Sequence, residues 1–237
     1  SLMAVHNLGH PAWTPRDTVS LTRSGYSRNV VGFRCVRMIA EACASMPLRF
    51  VEGGAVLAEH PLITLFDNPN PGQDRAALFE ALFGHLQLSG NGYLEVVGEV
   101  DVPTELHVLR PDRMRAIPGP DGWPQGYEYR VGGRAHRFDM TRGATPILHL
   151  RAFHPLDDHY GMSPLEAAAS AVDVHNAAAG WSKALLDNAA RPSGAVIYRG
   201  ADGHGTLSDE QYGRIVEELE SNHQGARNAG RPMLLEG

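Results

Sequence analysis

His149, His154 and His159, with Asp157 and Asp158 among them, form the densest group of side chains able to bind a metal or move a proton. Imidazole nitrogens and carboxylate oxygens are the ligands that zinc or manganese takes. A metal-dependent enzyme using His149, His154 and Asp157 is therefore one reading of this stretch. The spacing speaks against it. Histidines that recur every five residues share neither one helix face nor one strand face, so a site would depend entirely on how a loop folds. Asp157 and Asp158 are adjacent, and adjacent side chains on an extended chain point apart, which makes a poor acid/base pair. Loop or surface histidines are the simpler reading.

Other chemistry is missing from the pattern. There is no G-x-x-x-x-G-K-[ST] phosphate loop, since Lys183 follows Trp181 and Ser182 inside a helical stretch. No G-x-S-x-G elbow or H-E-x-x-H pair occurs, and "GMSPL" around Ser163 reads as a helix cap. The expectation is a protein without enzymatic activity and without a cofactor.

The elements that would position any site belong to a globular chain of 237 residues, 43% hydrophobic and 20% charged. No window approaches 18 uninterrupted apolar residues, so no membrane contact is expected. The opening "SLMAVHN" has no basic start followed by an apolar core, so a cytoplasmic site of synthesis is expected. Net charge is −6, and of the 21 basic residues every one but Lys183 is arginine. Tight DNA binding draws most of its affinity from phosphate neutralisation by a basic face, and no such cluster is present. Cys35 and Cys43 lie ~12 Å apart if they share a helix, beyond disulfide reach. They read as small buried apolar residues.

Residues 1–28 carry few periodic hydrophobics and contain Pro11, Pro15 and Gly25, which predicts a poorly ordered N-terminal arm. A helix is expected from about Asn29, with Cys35, Met38, Ile39, Ala42, Cys43 and Met46 as its apolar stripe and Arg34, Arg37 and Glu41 on the other side. Pro47 ends it, and "LRFVE" suggests a short strand. "HPLITLF" gives a brief helix, and Asp74 caps another that carries Leu78, Phe79, Leu82, Phe83 and Leu86. Between them Asn68, Pro69, Asn70 and Pro71 form a structural elbow. The prolines fix φ and forbid helix continuation, while the asparagine side chains can bond the local backbone.

From 91 to 151 the pattern turns to alternation. "SGNGYLEVVGEV" predicts a turn at Gly90-Asn91-Gly92 and then a strand, and "ELHVLRP", "MRAIP", "YEYRVGG" and "PILHLRA" are further strands of a mostly antiparallel region. Tyr127 and Tyr129 share a strand face and read as packed. "SPLE" at Ser163–Glu166 is a capping box opening an alanine-crowded helix to about Asn188, roughly 37 Å long. Small residues permit close neighbours but bury little area, so this helix needs other elements or other chains beside it. After Pro192, "GAVIY", the capped helix "LSDEQYGRIVEELE" and "RPMLLEG" suggest a small β-α-β piece. Its Glu217, Glu218 and Glu220 read as a solvated face or as a docking surface for a basic partner.

Together these segments resemble the portal proteins of tailed bacteriophages, of the HK-ninety-seven-like family. The residues that carry the resemblance are "VVGFRCVRMIAEACASMPLRF", "HPLITLFDNPNPGQ" leading into "LFEALFGHLQLSGNGYLEV", "LHVLRPDRM", "HYGMSPLEAAASAV", "LLDNAARPSGAVIY" and "LSDEQ" followed by "GARNAGRPMLLEG". They run in order over roughly residues 29–237.

The resemblance implies an α+β portal fold. It comprises a helical and antiparallel-β wing over 29–160, a long stem helix over 163–191 and a small β-α-β clip over 194–237, with 1–28 as the arm. It implies a ring of twelve copies at one vertex of a viral shell, through which double-stranded DNA is packed and ejected without sequence-specific binding. Its partners would be the terminase packaging motor, the head-tail adaptor and the capsid protein. It would reside in the virion, and in the host cytoplasm during assembly. A returning second stem helix and a crown, which the family's pattern contains, have no counterpart here. Asp173, Asp187 and Asn188, on the polar side of the long helix, are the candidates to face the channel. Another head-tail connector or capsid-associated protein is the alternative.

Overall fold

The computed structural model describes residues 13–99, 102–141, 145–187 and 208–215. They fall into two units, the first ending at Val174 and the second beginning at His175.

In the first unit, Asp17 caps α1 (Thr18–Thr22) by accepting a hydrogen bond from Ser20 N at 2.9 Å, and a π-helical turn follows over Arg23–Ser27. Residues 18–27 are thus helical, although they lie within the stretch whose sequence predicts a loose arm. A single capping carboxylate and buried Leu21 and Gly25 stand in for the missing periodicity.

Asn29 caps α2 (Val30–Ala44) through Gly32 N at 2.8 Å. This helix packs on α4 (Arg75–Ser89), but with Val36 and Ala40 turned inward. The apolar stripe predicted to be buried lies on the outside: Cys35, Met38, Ile39, Ala42 and Met46 are exposed and Cys43 is half-buried. The expectation of two buried cysteines is corrected accordingly. A helix apolar on two faces buries one within its own chain, and periodicity does not say which. Arg37 Nε donates to Glu41 Oε1 at 2.8 Å, and Arg37 also reaches Glu80 on α4 at 3.4 Å.

Two small strands, β1 (Val51–Glu52) and β2 (Ala55–Val56), form a hairpin, and α3 (Pro61–Asp67) precedes α4. The body is then built from β3 (Asn91–Glu99), β4 (Val102–Leu109), β5 (Met114–Pro118), β6 (Pro124–Val131), β7 (Arg134–Asp139) and β8 (Ile147–Arg151). They make two antiparallel three-stranded sheets, ordered β4-β3-β8 and β5-β6-β7. The mixed helix and antiparallel-sheet class matches the α+β expectation.

Period-two alternation explains the layers. Leu94 and Leu106 on one face of the first sheet pack with Leu65 of α3 and Leu78 of α4. Tyr93, Leu109 and Ile147 on the other face pack with Met114, Ala116, Tyr127 and Phe138 of the second sheet. The central strand β3 is therefore covered on both sides. The turn predicted at Gly90-Asn91-Gly92 is shorter than expected. Gly90 alone takes the left-handed conformation (φ 73°) that caps α4, and Asn91 already pairs with Arg151 in β3–β8.

α5 (Pro164–Asp187) begins in the first unit and ends in the second. In the second unit, residues 209–215 are helical and open with a reciprocal capping box. Ser208 N donates to Gln211 Oε1 at 3.1 Å, and Gln211 N to Ser208 Oγ at 3.3 Å. The strands expected over "GAVIY" and "RPMLLEG" lie outside the described residues.

Candidate functional site

The root of α5 is where the described chain concentrates its buried polar groups, and Asn91 is the hub. This side chain is 6% exposed. Its Oδ1 accepts from Gly161 N at 2.7 Å and from His149 Nε2 at 3.0 Å, and its Nδ2 donates to Ser89 O at 2.8 Å and to Gly161 O at 3.3 Å. One asparagine thus ties the start of β3 to β8 and to the segment that leads into the long helix. Gly90 and Gly161 make this possible by close approach: a Cβ on Gly161 would run into Gly90 O and Ala152 N. Gly90 O itself accepts from Ala152 N at 2.8 Å.

The tautomer of His149 follows from its neighbours. The amide oxygen of Asn91 can only accept, so Nε2 carries the proton, and Nδ1 accepts from the Tyr127 hydroxyl at 3.1 Å. The ring stacks on Tyr93 with centroids 4.1 Å apart, and Tyr127 meets it edge-on. Burial, with a smaller push from the Arg151 charge, lowers its pKa to about 4, so the imidazole is neutral. Burial likewise pushes the Tyr93 hydroxyl well above the ordinary tyrosine range.

The remaining members of the suspected metal cluster are used locally. Asp157 Oδ1 accepts from His159 N at 2.7 Å and Tyr160 N at 2.9 Å, closing a turn. His154 Nδ1 accepts from Leu156 N at 3.1 Å. The Tyr160 hydroxyl accepts from Ala116 N at 2.9 Å, pinning that turn to β5. His159 Nδ1 is buried with no hydrogen-bond partner. With both nitrogens of His149 engaged, it has no lone pair for a metal. Among the described residues no three His, Cys, Asp or Glu side chains are grouped to hold an ion. These are joints of a scaffold.

Beyond the turn, Ser163 Oγ accepts from Leu165 N at 3.0 Å as the helix cap and donates to Gln87 O of α4 at 3.0 Å. Leu165 and Ala169 are buried, with Leu165 against Gly25, while Ala167, Ala168 and Ala171 stay exposed. Asp173, a candidate to face a channel, is occupied: it accepts from the Thr14 hydroxyl at 2.5 Å and from Thr14 N at 3.0 Å. The Thr14 hydroxyl holds its carboxyl below the usual carboxylate range. Asp187 ends α5, and Asn188, Glu217, Glu218 and Glu220 lie outside the described residues.

The elbow does more than turn the chain between α3 and α4. Asn70 Oδ1 accepts from Gly72 N at 3.0 Å, and its Nδ2 donates to Gln73 Oε1 at 3.0 Å and to Leu106 O at 2.9 Å. Pro69 is fully buried, and its carbonyl accepts from Leu106 N at 2.7 Å. Asn68 and Pro71 flank this contact, and Asp67 pairs with Arg75 at 3.4 Å. The corner therefore covers the outer edge of β4, whose backbone groups would otherwise be unpaired.

The hub of Asn91, His149, Tyr127 and Gly161 and the Thr14–Asp173 tie carry no signature in the order of residues. Only the left-handed demand on Gly90, next to a polar Asn91, hints at a close approach.

Comparison with known proteins gives these joints a context. An uncharacterized protein of Rickettsia bellii is 36% identical over 215 residues, covering 90% of this chain and 55% of the relative. The chain thus spans about half the length of the curated relatives it matches. A chain in the neck of a native gene transfer agent particle, computed with twelve-fold symmetry, is 62% identical with a TM-score of 0.68, over 97% of this chain and 61% of that one. An HK97 family phage portal protein from Corynebacterium diphtheriae shares the fold at 16% identity and a TM-score of 0.57, over 96% of this chain and 67% of that one. Residues 31–237 match the phage portal protein family, and the chain belongs to it.

Proposed function

We propose that this chain is the wing, the first stem helix and the clip of a portal subunit. Twelve such subunits, in their full-length form, ring an opening at one vertex of a phage-like particle, and double-stranded DNA passes through it. The observation that carries this reading is α5: a 24-residue helix whose first turn is tied through Ser163, Gly161 and Asn91 to α4 and β3, with small residues exposed along it. Helices set side by side around a channel approach closely only where side chains are short. The twelve-fold neck that holds a chain 62% identical to this one supports it further.

The domain boundaries we propose are an arm over 1–28, helical over 18–27, a wing over 29–160, a stem over 163–191 and a clip over 194–237. The conduit performs no reaction of its own. Its net charge of −6 suits passage, because each phosphate contact would add affinity and slow the duplex. With Asp173 bound to Thr14, Asp187 and Asn188 remain the candidates to face the channel. Glu217, Glu218 and Glu220 are proposed as the docking surface for the packaging motor and later the head-tail adaptor. The capsid protein would contact the wing. The protein would assemble in the host cytoplasm and reside in the particle.

Electron microscopy of the full-length protein tests this. Rings with a central hole wide enough for a duplex are expected, and a uniformly monomeric product overturns the proposal. Metal analysis addresses the enzyme alternative, which stoichiometric zinc or manganese in the purified protein would revive.

A further inference from the structure

Two apolar surfaces of the first unit are bare, and their shapes differ. One is a knob: Phe153 is 86% exposed and Leu156 is 92% exposed, three residues apart on the turn before α5. The turn is not loose. Asp157 binds the backbone of His159 and Tyr160, His154 binds Leu156 N, Ala152 N is held by Gly90 O, and Arg151 binds Asp158 O. A backbone fixed this firmly, with its two largest apolar side chains turned to water, loses little entropy when they are finally buried. The other surface is the outer stripe of α2, where Val31 is 55% exposed, Met38 is 53% exposed and Cys35 lies between them. Neither surface covers the other, since both are exposed in the same chain.

We propose that in the ring the Phe153–Leu156 knob of one copy seats on the Val31–Cys35–Met38 stripe of α2 in the next. A closed ring of identical subunits needs a head-to-tail contact, with two different and complementary surfaces on every chain. A projecting apolar knob and an apolar helical stripe are such a pair. Charge matches as well. Asp158 beside the knob is exposed, and Arg34 at the edge of the stripe, 3.7 Å from Glu41 of its own helix, still keeps 68% of its side chain exposed. The occupant of the stripe is thus a second copy of this chain. This assignment rests on the ring reading and specifies where its subunits touch.

The native cysteine supplies the test. Full-length protein carrying Leu156→Cys and Cys43→Ser is treated with diamide and run on a non-reducing gel beside the same protein with Cys35→Ser added. Assembly of both is followed by electron microscopy. A ladder of covalent oligomers that needs Cys35 is expected. Rings without that ladder overturn the contact and leave the ring reading standing; failure of the unsubstituted protein to form rings overturns both. As a second measurement, Asp158→Arg should raise the concentration needed for assembly roughly tenfold, and adding Arg34→Asp should restore it. Assembly indifferent to Asp158→Arg also overturns the contact.

Discussion

Thr14 and Asp173, 159 residues apart, are joined twice, by the threonine hydroxyl and by its backbone N–H, both donating to one carboxylate. The segment before α1 is thereby strapped to α5. Beside the tie, Leu21 and Gly25 face Leu165 and Ala169, and Arg16 reaches Glu166 O at 3.4 Å. Asp173→Ala should free residues 14–22 without unfolding the sheets. The expected loss is about 1 kcal/mol of local stability, seen in hydrogen exchange as faster exchange at residues 18–22 and unchanged exchange in β3. Equal acceleration in both places would contradict it.

Removing the hub should cost more. Asn91→Ala leaves Gly161 N and the Nε2–H of His149 buried without an acceptor, so a loss of about 3 kcal/mol is expected. Urea denaturation of the variant against the parent protein measures this directly. A change no larger than that of an exposed substitution would mean that Asn91 is not the joint described.

His149 sets a pH dependence whose sign is fixed by its lowered pKa. The fold holds the ring neutral down to about pH 4, while the unfolded chain takes a proton near pH 6.5. Between those values the unfolded state binds more protons, so stability is greatest above about pH 6.5 and falls as pH drops toward about 4. Allowing for the partial exposure of the ring, the contribution is about 2 kcal/mol. His149→Phe should flatten the profile in that window, read from denaturation midpoints at neutral and mildly acid pH. An unchanged slope would assign the dependence elsewhere.

Gly161→Ala tests the close approach at the root of α5. A methyl group there meets the backbone at Gly90 and Ala152, which cannot yield as a side chain can. A loss above about 3 kcal/mol, or failure to fold, is expected. The exposed neighbour Pro164 makes a suitable control position.

At the elbow, Asn70→Ala removes the donor that Leu106 O accepts and the oxygen that closes the turn at Gly72. A loss of about 1.5 kcal/mol is expected. Hydrogen exchange at Leu106 N should rise with it, since this amide is held by Pro69 O on the same corner. Protection at Leu106 as strong as in the parent would count against the edge-covering role.

Much of the scaffold was legible in the order of residues, because it depends on interactions a few positions apart. The helix start near Asn29 and the caps at Asp74 and Ser163 rest on local hydrogen bonds, and alternation along β3 and β4 is a local consequence of the pleat. The family, too, could be read from the ordered run of segments beginning near Asn29. β7 went unread because Arg134–Asp139 carries one buried apolar side chain, Phe138, on an otherwise exposed strand.

Tertiary structure alone decided which face of α2 is buried, since the outcome turns on where α4 lies and not on the helix's own period. It also turned His149, a suspected metal ligand, into a joint. The partners of His149 sit 22 and 58 residues away, and Asp173 is claimed by a threonine near the other end of the unit. Short-range order is written in the spacing of residues. The pairing of polar groups across long separations exists only once folding has brought their strands and turns together and excluded water from between them.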